Sequence, residues 1–261
     1  MIARAFRIAK AFLGVLGAER LKVRRTPVAP LVLIAPYIVV VFFGLFAYFD
    51  GRRFLTQANA WPWLMSSAFT FWCLLVVPLW TALLTSQVAA VEHRCGGLGR
   101  LFVSPVQRSI PYAAKQTLMW GLVTLAFVWQ AGAIVVAGLL LRGSRPGLGF
   151  EGAVPWGDLT LFAVGGSLTT FFLVAVHTWV ALERTDVALP MAVGFLATLS
   201  VLVLHNVDAT LVVYHPWAWP SLWVSSVVDG TPEPAWAVVG WIGGASFAAV
   251  VGWRFVRRDV L

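Results

Sequence analysis

Six long apolar stretches constrain this chain more than any other feature of its sequence. A helix rises about 1.5 Å per residue, so crossing about 30 Å of hydrocarbon takes roughly 20 apolar residues. Stretches of this kind recur along all 261 residues and predict an all-α integral membrane fold. The predicted spans are approximately 28–49, 64–90, 111–141, 158–182, 187–205 and 235–256.

The composition supports the same fold class and excludes others. Only 11% of the residues are charged, whereas soluble domains contain about 25%, so a soluble globular enzyme is excluded. The 14% aromatic content excludes a disordered chain. Two cysteines, Cys73 and Cys95, do not make a disulfide framework. The net charge of +8 is typical of loops that face anionic lipid, not of nucleic-acid binding.

The distribution of lysine and arginine predicts how the spans are oriented. Cytoplasmic loops carry an excess of these residues, and 15 of the 19 fall on one side when the spans alternate. We therefore predict a multi-pass protein of the bacterial inner (cytoplasmic) membrane with both termini in the cytoplasm. The basic residues on the predicted outer side are Arg52, Arg53, Arg142 and Arg145.

Residues 1–26 form a separate unit before the first predicted span. Basic residues are interleaved there with Phe6, Leu13 and other apolar residues at helical spacing. A cleavable signal peptide would instead have a single apolar run after a short basic start. The pattern predicts a basic amphipathic helix on the membrane surface, and a simple positively charged anchor is the alternative. Residues 27–261 are predicted to form one six-span membrane domain.

The segment between the second and third predicted spans is the most informative part of the sequence. Residues 91–115 read VEHRCGGLGRLFVSPVQRSIPYAAK, in which an apolar cluster stands beside several arginines. Pro105 ends the short helix, because proline cannot continue the hydrogen-bond ladder. Such a helix favours docking into a groove on a partner, and a surface helix lying on lipid is the alternative. The apolar cluster comprises Leu98, Leu101, Phe102 and Val103.

The order of motifs in this segment resembles that of permease subunits of type-2 ATP-binding-cassette (ABC) exporters. Glu92 leaves the second span, a short helix follows, 104–108 form a small-Pro-x-x-Arg turn, and Lys115 lies on the next helix. The amphipathic first segment and the six-span layout are similar as well. The resemblance implies that residues from about 91 to 108 are a coupling segment that docks on an ABC nucleotide-binding subunit. The residues that it assigns to this contact are Glu92, Arg94, Leu98, Leu101, Phe102, Pro105, Arg108 and Lys115.

The resemblance also says which partners and cofactors to expect. The chain has no G-x-x-x-x-G-K-[ST] phosphate loop, so ATP and Mg would be used by the partner subunit, and this chain would be a transport subunit without a cofactor of its own. A second permease chain, identical or related, would complete the membrane part. The sequence shows no catalytic constellation and no spacing typical of a metal site, and no nucleic-acid partner is expected.

Two short segments resemble a narrower group, the permeases of lantibiotic self-immunity exporters. Residues 17–22 read GAERLK and are similar to the AE-x-x-K entry of that group. Residues 214–220 read YHPWAWP and are similar to its Pro-Trp segment. The chain departs from the group at residues 97–99, where Gly-Leu-Gly stands near the place of a tryptophan. The narrower resemblance implies a role in self-immunity against a lantibiotic or other bacteriocin.

The loop between the fifth and sixth predicted spans is unusually apolar. Residues 206–234 contain no lysine or arginine, yet Pro216 and Pro220 make another span unfavourable. We predict a short re-entrant hairpin in the outer leaflet, which is tolerated where protein covers the backbone. The similar element in the family lies near the exit of the transport path. An ordinary aromatic belt is the alternative for each tryptophan.

Polar groups inside the spans are few, and this limits the transport chemistry. No acidic residue falls at mid-membrane, so proton-coupled or sodium-coupled transport is disfavoured. The aromatic lining favours a lipid-like or amphipathic peptide substrate, although the same side chains could simply pack helices or face lipid. The candidates for the substrate path are Trp72, Trp80, Gln130, His177, Trp217 and Trp219.

Together these features predict the permease subunit of an ATP-driven ABC exporter. Its substrate would be hydrophobic or amphipathic: a lantibiotic or other peptide, a natural product or a lipid-like molecule. The alternative is a membrane channel, scaffold or assembly protein that works without ATP. A membrane enzyme is disfavoured more firmly, because it would need a polar catalytic cluster that the sequence lacks.

Overall fold

The structure is a computed structural model, and it describes residues 2–24, 26–56, 58–94, 107, 109–184 and 186–257. These residues form helices and the loops between them, with no strand in the described ranges. The α-helices are α1 (Ile2–Val23), α2 (Val28–Asp50), α3 (Ala60–Phe71), α4 (Val77–Arg94), α5 (Ser109–Ser144), α6 (Trp156–Glu183), α7 (Ala188–Val207), α8 (Trp219–Val228) and α9 (Pro234–Arg257).

Six helices in the described residues are long and apolar enough to cross a membrane, which confirms the number and order of the predicted spans. The second begins earlier than predicted, at Ala60, and joins α3 to α4 through a π-helical turn, Trp72–Val76. Its wider turn was not predicted, because apolar periodicity does not distinguish it from an α-helix. The third span, α5, is the longest at 36 residues, as the sequence indicated.

Proline and glycine residues explain several of the helix limits. Pro27 directly precedes α2, and the Thr26 hydroxyl accepts a hydrogen bond from the Val28 N–H at 3.4 Å. Pro111 lies in the first turn of α5, where its missing N–H costs nothing. After α5 the chain reverses through Gly147, whose φ of 87° is a conformation that favours glycine.

Helix α6 is the centre of the bundle. It packs against α4, α5, α8 and α9, while α2 packs against α5, and α7 packs against α4. Helix α1 lies against the first turns of α5. The bundle therefore has two ends, which we call the α1 end, where α4 and α6 finish, and the hairpin end, where α8 finishes and α9 begins.

Small residues allow the helices around α6 to approach closely. A Cβ atom placed on Gly240 of α9 would lie 2.5 Å from the Thr169 Cα of α6. A Cβ atom on Gly165 would lie 1.9 Å from the Trp223 ring of α8. Only glycine fits at these two positions, so α8 and α9 can both pack directly on the α6 backbone.

The chain between α7 and α9 packs between the helices. Two 3₁₀ turns, Ala209–Tyr214 and Pro216–Ala218, lead into α8. The Trp217 ring lies 5.7 Å from the His177 ring, well inside α6, whereas the Trp223 indole N–H donates to the Leu161 carbonyl oxygen near the start of α6. The chain thus enters the bundle as far as Trp217 and returns along α8 towards the hairpin end.

Candidate functional site

A buried ion pair joins the first helix to the third span. Lys115 Nζ of α5 lies 2.5 Å from Glu19 Oε2 of α1, and both residues are almost completely buried. Lys22, one turn after Glu19, lies 2.6 Å from the other carboxylate oxygen and is partly exposed. Glu19 therefore bridges two lysines, one on its own helix and one on α5.

The sequence analysis placed Lys115 on the third span, among the residues that contact the partner subunit, but did not identify Glu19 as its partner. One signal was available: Glu19 is the only acidic residue before Asp50, in a stretch that contains seven basic residues. A buried charge is stable only when it is paired and hydrogen-bonded, so Lys115 required a carboxylate. The glutamate of the AE-x-x-K residues thus joins α1 to α5, and the lysine pairs with it within α1.

The end of α4 lies beside the end of α6. His93 Nε2 is 3.1 Å from the Ala181 carbonyl oxygen. The chain leaves α4 after Arg94 and enters α5 at Ser109, so the predicted coupling segment connects two spans at the α1 end. Leu98, Leu101, Phe102, Pro105 and Arg108 lie outside the described residues, as do the side chains of Glu92 and Arg94.

Three of the six predicted path residues lie together in the core of the bundle. The rings of Trp72 and Trp80 are 5.5 Å apart, and the Trp80 indole N–H donates to the Leu31 carbonyl oxygen. Gln130 is fully buried, and its Nε2 donates to the Ala68 carbonyl oxygen at 3.0 Å. The first hydrogen bond links α4 to α2, and the second links α5 to α3.

The other three path residues lie around α6. His177 is fully buried, and its ring packs edge-on against Trp217. Trp219 packs against Phe172 at 5.3 Å, and its indole N–H donates to the Val213 carbonyl oxygen. His215 lies nearer the hairpin end than this cluster. Its Nε2 is 2.9 Å from Ser200 Oγ, and burial lowers the pKa of its imidazole.

A polar groove, which the sequence analysis missed, lies between α2, α3 and α8. Its volume is about 560 Å³, and part of its lining is exposed. The hydroxyl-bearing residues of α3 recur at helical spacing, a pattern in an apolar span that could have indicated it. The polar residues of its lining are Ser66, Ser67, Thr70, Ser225 and Asp229.

No group of three or more potential metal-binding side chains occurs in the described part of the chain. A family model described as "ABC-2 family transporter protein" matches residues 15–201. The chain belongs to this family. No curated protein and no solved structure matches it.

Family membership fixes the general role of the chain. An ABC-2 protein is the membrane component of a transporter, so this chain is a multi-pass transport subunit, and its family implies partnership with an ABC ATPase subunit. Glu19 and Lys115 both fall within the matched residues. So does the predicted coupling segment, whereas α8 and α9 follow the matched region.

Proposed function

We propose that this chain is the permease subunit of an ATP-driven exporter and that residues from about 91 to 108 couple it to the nucleotide-binding subunit. The Glu19–Lys115 ion pair is the observation that supports this proposal best. It connects α1 to α5 at the end of the bundle where the segment joins α4 to α5. A displacement of the segment would therefore move α1, α4 and α5 together.

In this proposal each residue of the coupling segment has a defined task. Glu92 and Arg94 make polar contacts with the partner, and Leu98, Leu101 and Phe102 fill its groove. Pro105 ends the docking helix, and Arg108 and Lys115 fix the base of the third span. When the ATPase subunits close, they push the segment and tilt the first three spans against a second permease chain, identical or related.

The substrate path that we propose runs from the interior of the bundle to the hairpin end. The Trp217 and Trp219 rings and the polar groove beside Ser66 and Thr70 offer both apolar and hydrogen-bonding surface. That combination suits an amphipathic molecule, such as a lantibiotic or other peptide, a natural product or a lipid-like compound. Trp72, Trp80, Gln130 and His177 would contribute when the spans tilt and expose the core.

The proposed arrangement in the membrane follows from the same evidence. Both termini and the coupling segment would lie in the cytoplasm of a bacterial cell, because the ATPase partner works there. Residues 1–26 would lie on the membrane surface, and residues from about 206 to 234 would form a re-entrant hairpin at the outer side of the domain 27–261. Self-immunity against a lantibiotic is the narrower role that the AE-x-x-K entry favours.

The proposal is tested by purifying the tagged chain from its native cell in mild detergent. We expect a stoichiometric subunit with a phosphate loop and vanadate-sensitive ATPase activity. The L101D/F102D variant should insert normally into the membrane but lose both the ATPase subunit and the ATPase activity, because charge cannot enter an apolar groove. The matched L101M/F102L variant should keep them, because it preserves the apolar character.

Two outcomes would contradict the proposal. If L101D/F102D retains the ATPase subunit at the wild-type yield, the segment does not dock as proposed. If the wild-type chain purifies alone in detergents that preserve other assemblies, a channel or scaffold that works without ATP becomes the better explanation. A second permease sequence in the purified complex would show a heterodimer.

A further inference from the structure

A pocket with both basic and apolar walls opens at the α1 end between α6, α7 and α9. Its volume is about 540 Å³. None of its residues belongs to α1 or α5, to the predicted coupling segment or to the substrate path. The pocket is lined by Trp179, Val180, Glu183, Arg184, Leu189 and Arg254.

The basic residues of the pocket lie at the level where a span ends. Arg184 is the first residue after α6, and Arg254 is in the last turn of α9. Trp179 packs against Phe247 at 5.8 Å, and Arg254 lies seven residues beyond Phe247, which is about 10 Å nearer the helix end. The two guanidinium groups therefore stand at the membrane interface, with the apolar wall extending from them towards the hydrocarbon.

The charges of the pocket favour an anion. Neither Arg184 nor Arg254 has an ion pair among the residues that the structure describes. The Glu183 carboxylate accepts a hydrogen bond from the Trp179 indole N–H at 3.2 Å, which orients the ring at the pocket wall. Two guanidinium groups and one carboxylate leave an excess of positive charge, and a guanidinium matches the oxygen geometry of a phosphate.

We propose that this pocket binds an anionic phospholipid of the leaflet on the α1 side. Arg184 and Arg254 hold the phosphate, and an acyl chain lies along Trp179, Val180 and the exposed side chain of Leu189. Basic pockets between spans at a membrane surface recognise anionic headgroups in this way. The apolar wall distinguishes this ligand from a free phosphate ion, which would use only the guanidinium groups.

Native mass spectrometry of the purified complex in mild detergent, with added phosphatidylglycerol or phosphatidylcholine, tests the proposal. We expect one retained phosphatidylglycerol per permease chain and weaker retention of phosphatidylcholine. R184Q/R254Q should weaken phosphatidylglycerol binding about tenfold, because two interfacial charges are lost. R52Q/R142Q removes the same charge at the hairpin end and should bind as the wild type does.

Further variants and ligands distinguish a phospholipid site from a simple anion site and from a protein contact. R184K/R254K should retain part of the binding, since lysine keeps the charge but not the planar geometry. Equal retention in R184Q/R254Q and the wild type would overturn the proposal, and so would equal retention of the two lipids. Inorganic phosphate is added at the same concentration as the lipid. If it displaces no phosphatidylglycerol, the pocket is a lipid site, whereas full displacement would show a simple anion site. Loss of the ATPase subunit from R184Q/R254Q with lipid retention unchanged would show a protein contact instead.

Discussion

The two ends of this bundle are held together by different forces. At the α1 end a buried ion pair between Glu19 and Lys115 joins two helices. At the hairpin end the buried contacts are neutral and depend on shape, as where the Trp223 ring lies against the α6 backbone. An ion pair also lies at that end, Arg53 with Asp50, but it is exposed. A buried ion pair fixes distance and direction, whereas ring packing tolerates small shifts. The α1 end is thus suited to transmit a displacement, and the hairpin end to yield to it.

The largest expected effect comes from breaking the ion pair at the α1 end. Glu19→Ala removes the carboxylate beside the buried Lys115 ammonium group, which costs about 3–5 kcal/mol of unfolding free energy in comparable buried pairs. Unfolding of the purified chain in detergent, followed by circular dichroism, measures the loss. Glu233→Gln, which removes an exposed carboxylate, is the control and should unfold as the wild type does.

The double variant E19L/K115M sharpens this result. Replacing a buried ion pair with apolar residues of similar volume is often neutral or stabilising, so most of the stability should return. If transport still fails in this stable variant, the pair serves to transmit motion and does not merely hold the fold. Full transport activity in E19L/K115M would contradict the comparison between the two ends.

The next largest effect is expected from disturbing the packing of α9 on α6. Gly240→Ala places a methyl group 2.5 Å from the Thr169 Cα atom, so the two helices must separate, at about 1–3 kcal/mol. Gly132→Ala is the matched control, because nothing lies within 4 Å of its Cβ position. Thermal unfolding of both variants measures the difference. Equal stability of the two variants would show that the close approach of α6 and α9 contributes little.

The sequence predicted the spans well because each is set by local composition. The starts of α2 and α6 lie within a few residues of the prediction, since Thr26, Pro27 and Pro155 mark them locally. The partners across the bundle were not predictable in the same way. Glu19 and Lys115 are 96 residues apart, and composition alone does not say which faces of two helices meet.

The path residues show the same limit. Their residue types indicated a function, but only the packing shows that Trp217 reaches His177 while Trp72 lies against Trp80. A tryptophan in a loop between spans is expected at the membrane interface. The fold instead carries Trp217 into the bundle, because Pro216 and Ala218 form a short turn that ends beside Phe172.

A smaller effect separates the two lysines that share Glu19. Lys22 is partly exposed, so water screens its interaction, and Lys22→Met should cost only about 0.5 kcal/mol. Lys115→Met should cost several times more, because its ammonium group is buried with the carboxylate. Unfolding in parallel at low and high salt measures both. If K115M loses as little unfolding free energy as K22M, and if salt changes both losses alike, the Glu19–Lys115 pair is not buried.

The smallest expected effect tests the hairpin end by pH. Burial lowers the pKa of His215, so the unfolded chain takes up a proton near pH 6.5 while the folded chain resists it. The stability that neutral His215 contributes is present above pH 6.5 and is lost as the pH falls towards the lowered pKa. Between pH 7.5 and 5.5, the Tm of the wild type should therefore fall more than that of H215N, by less than about 2 °C. Identical pH profiles for H215N and the wild type would show that the packing of His215 against Ser200 does not depend on an uncharged imidazole.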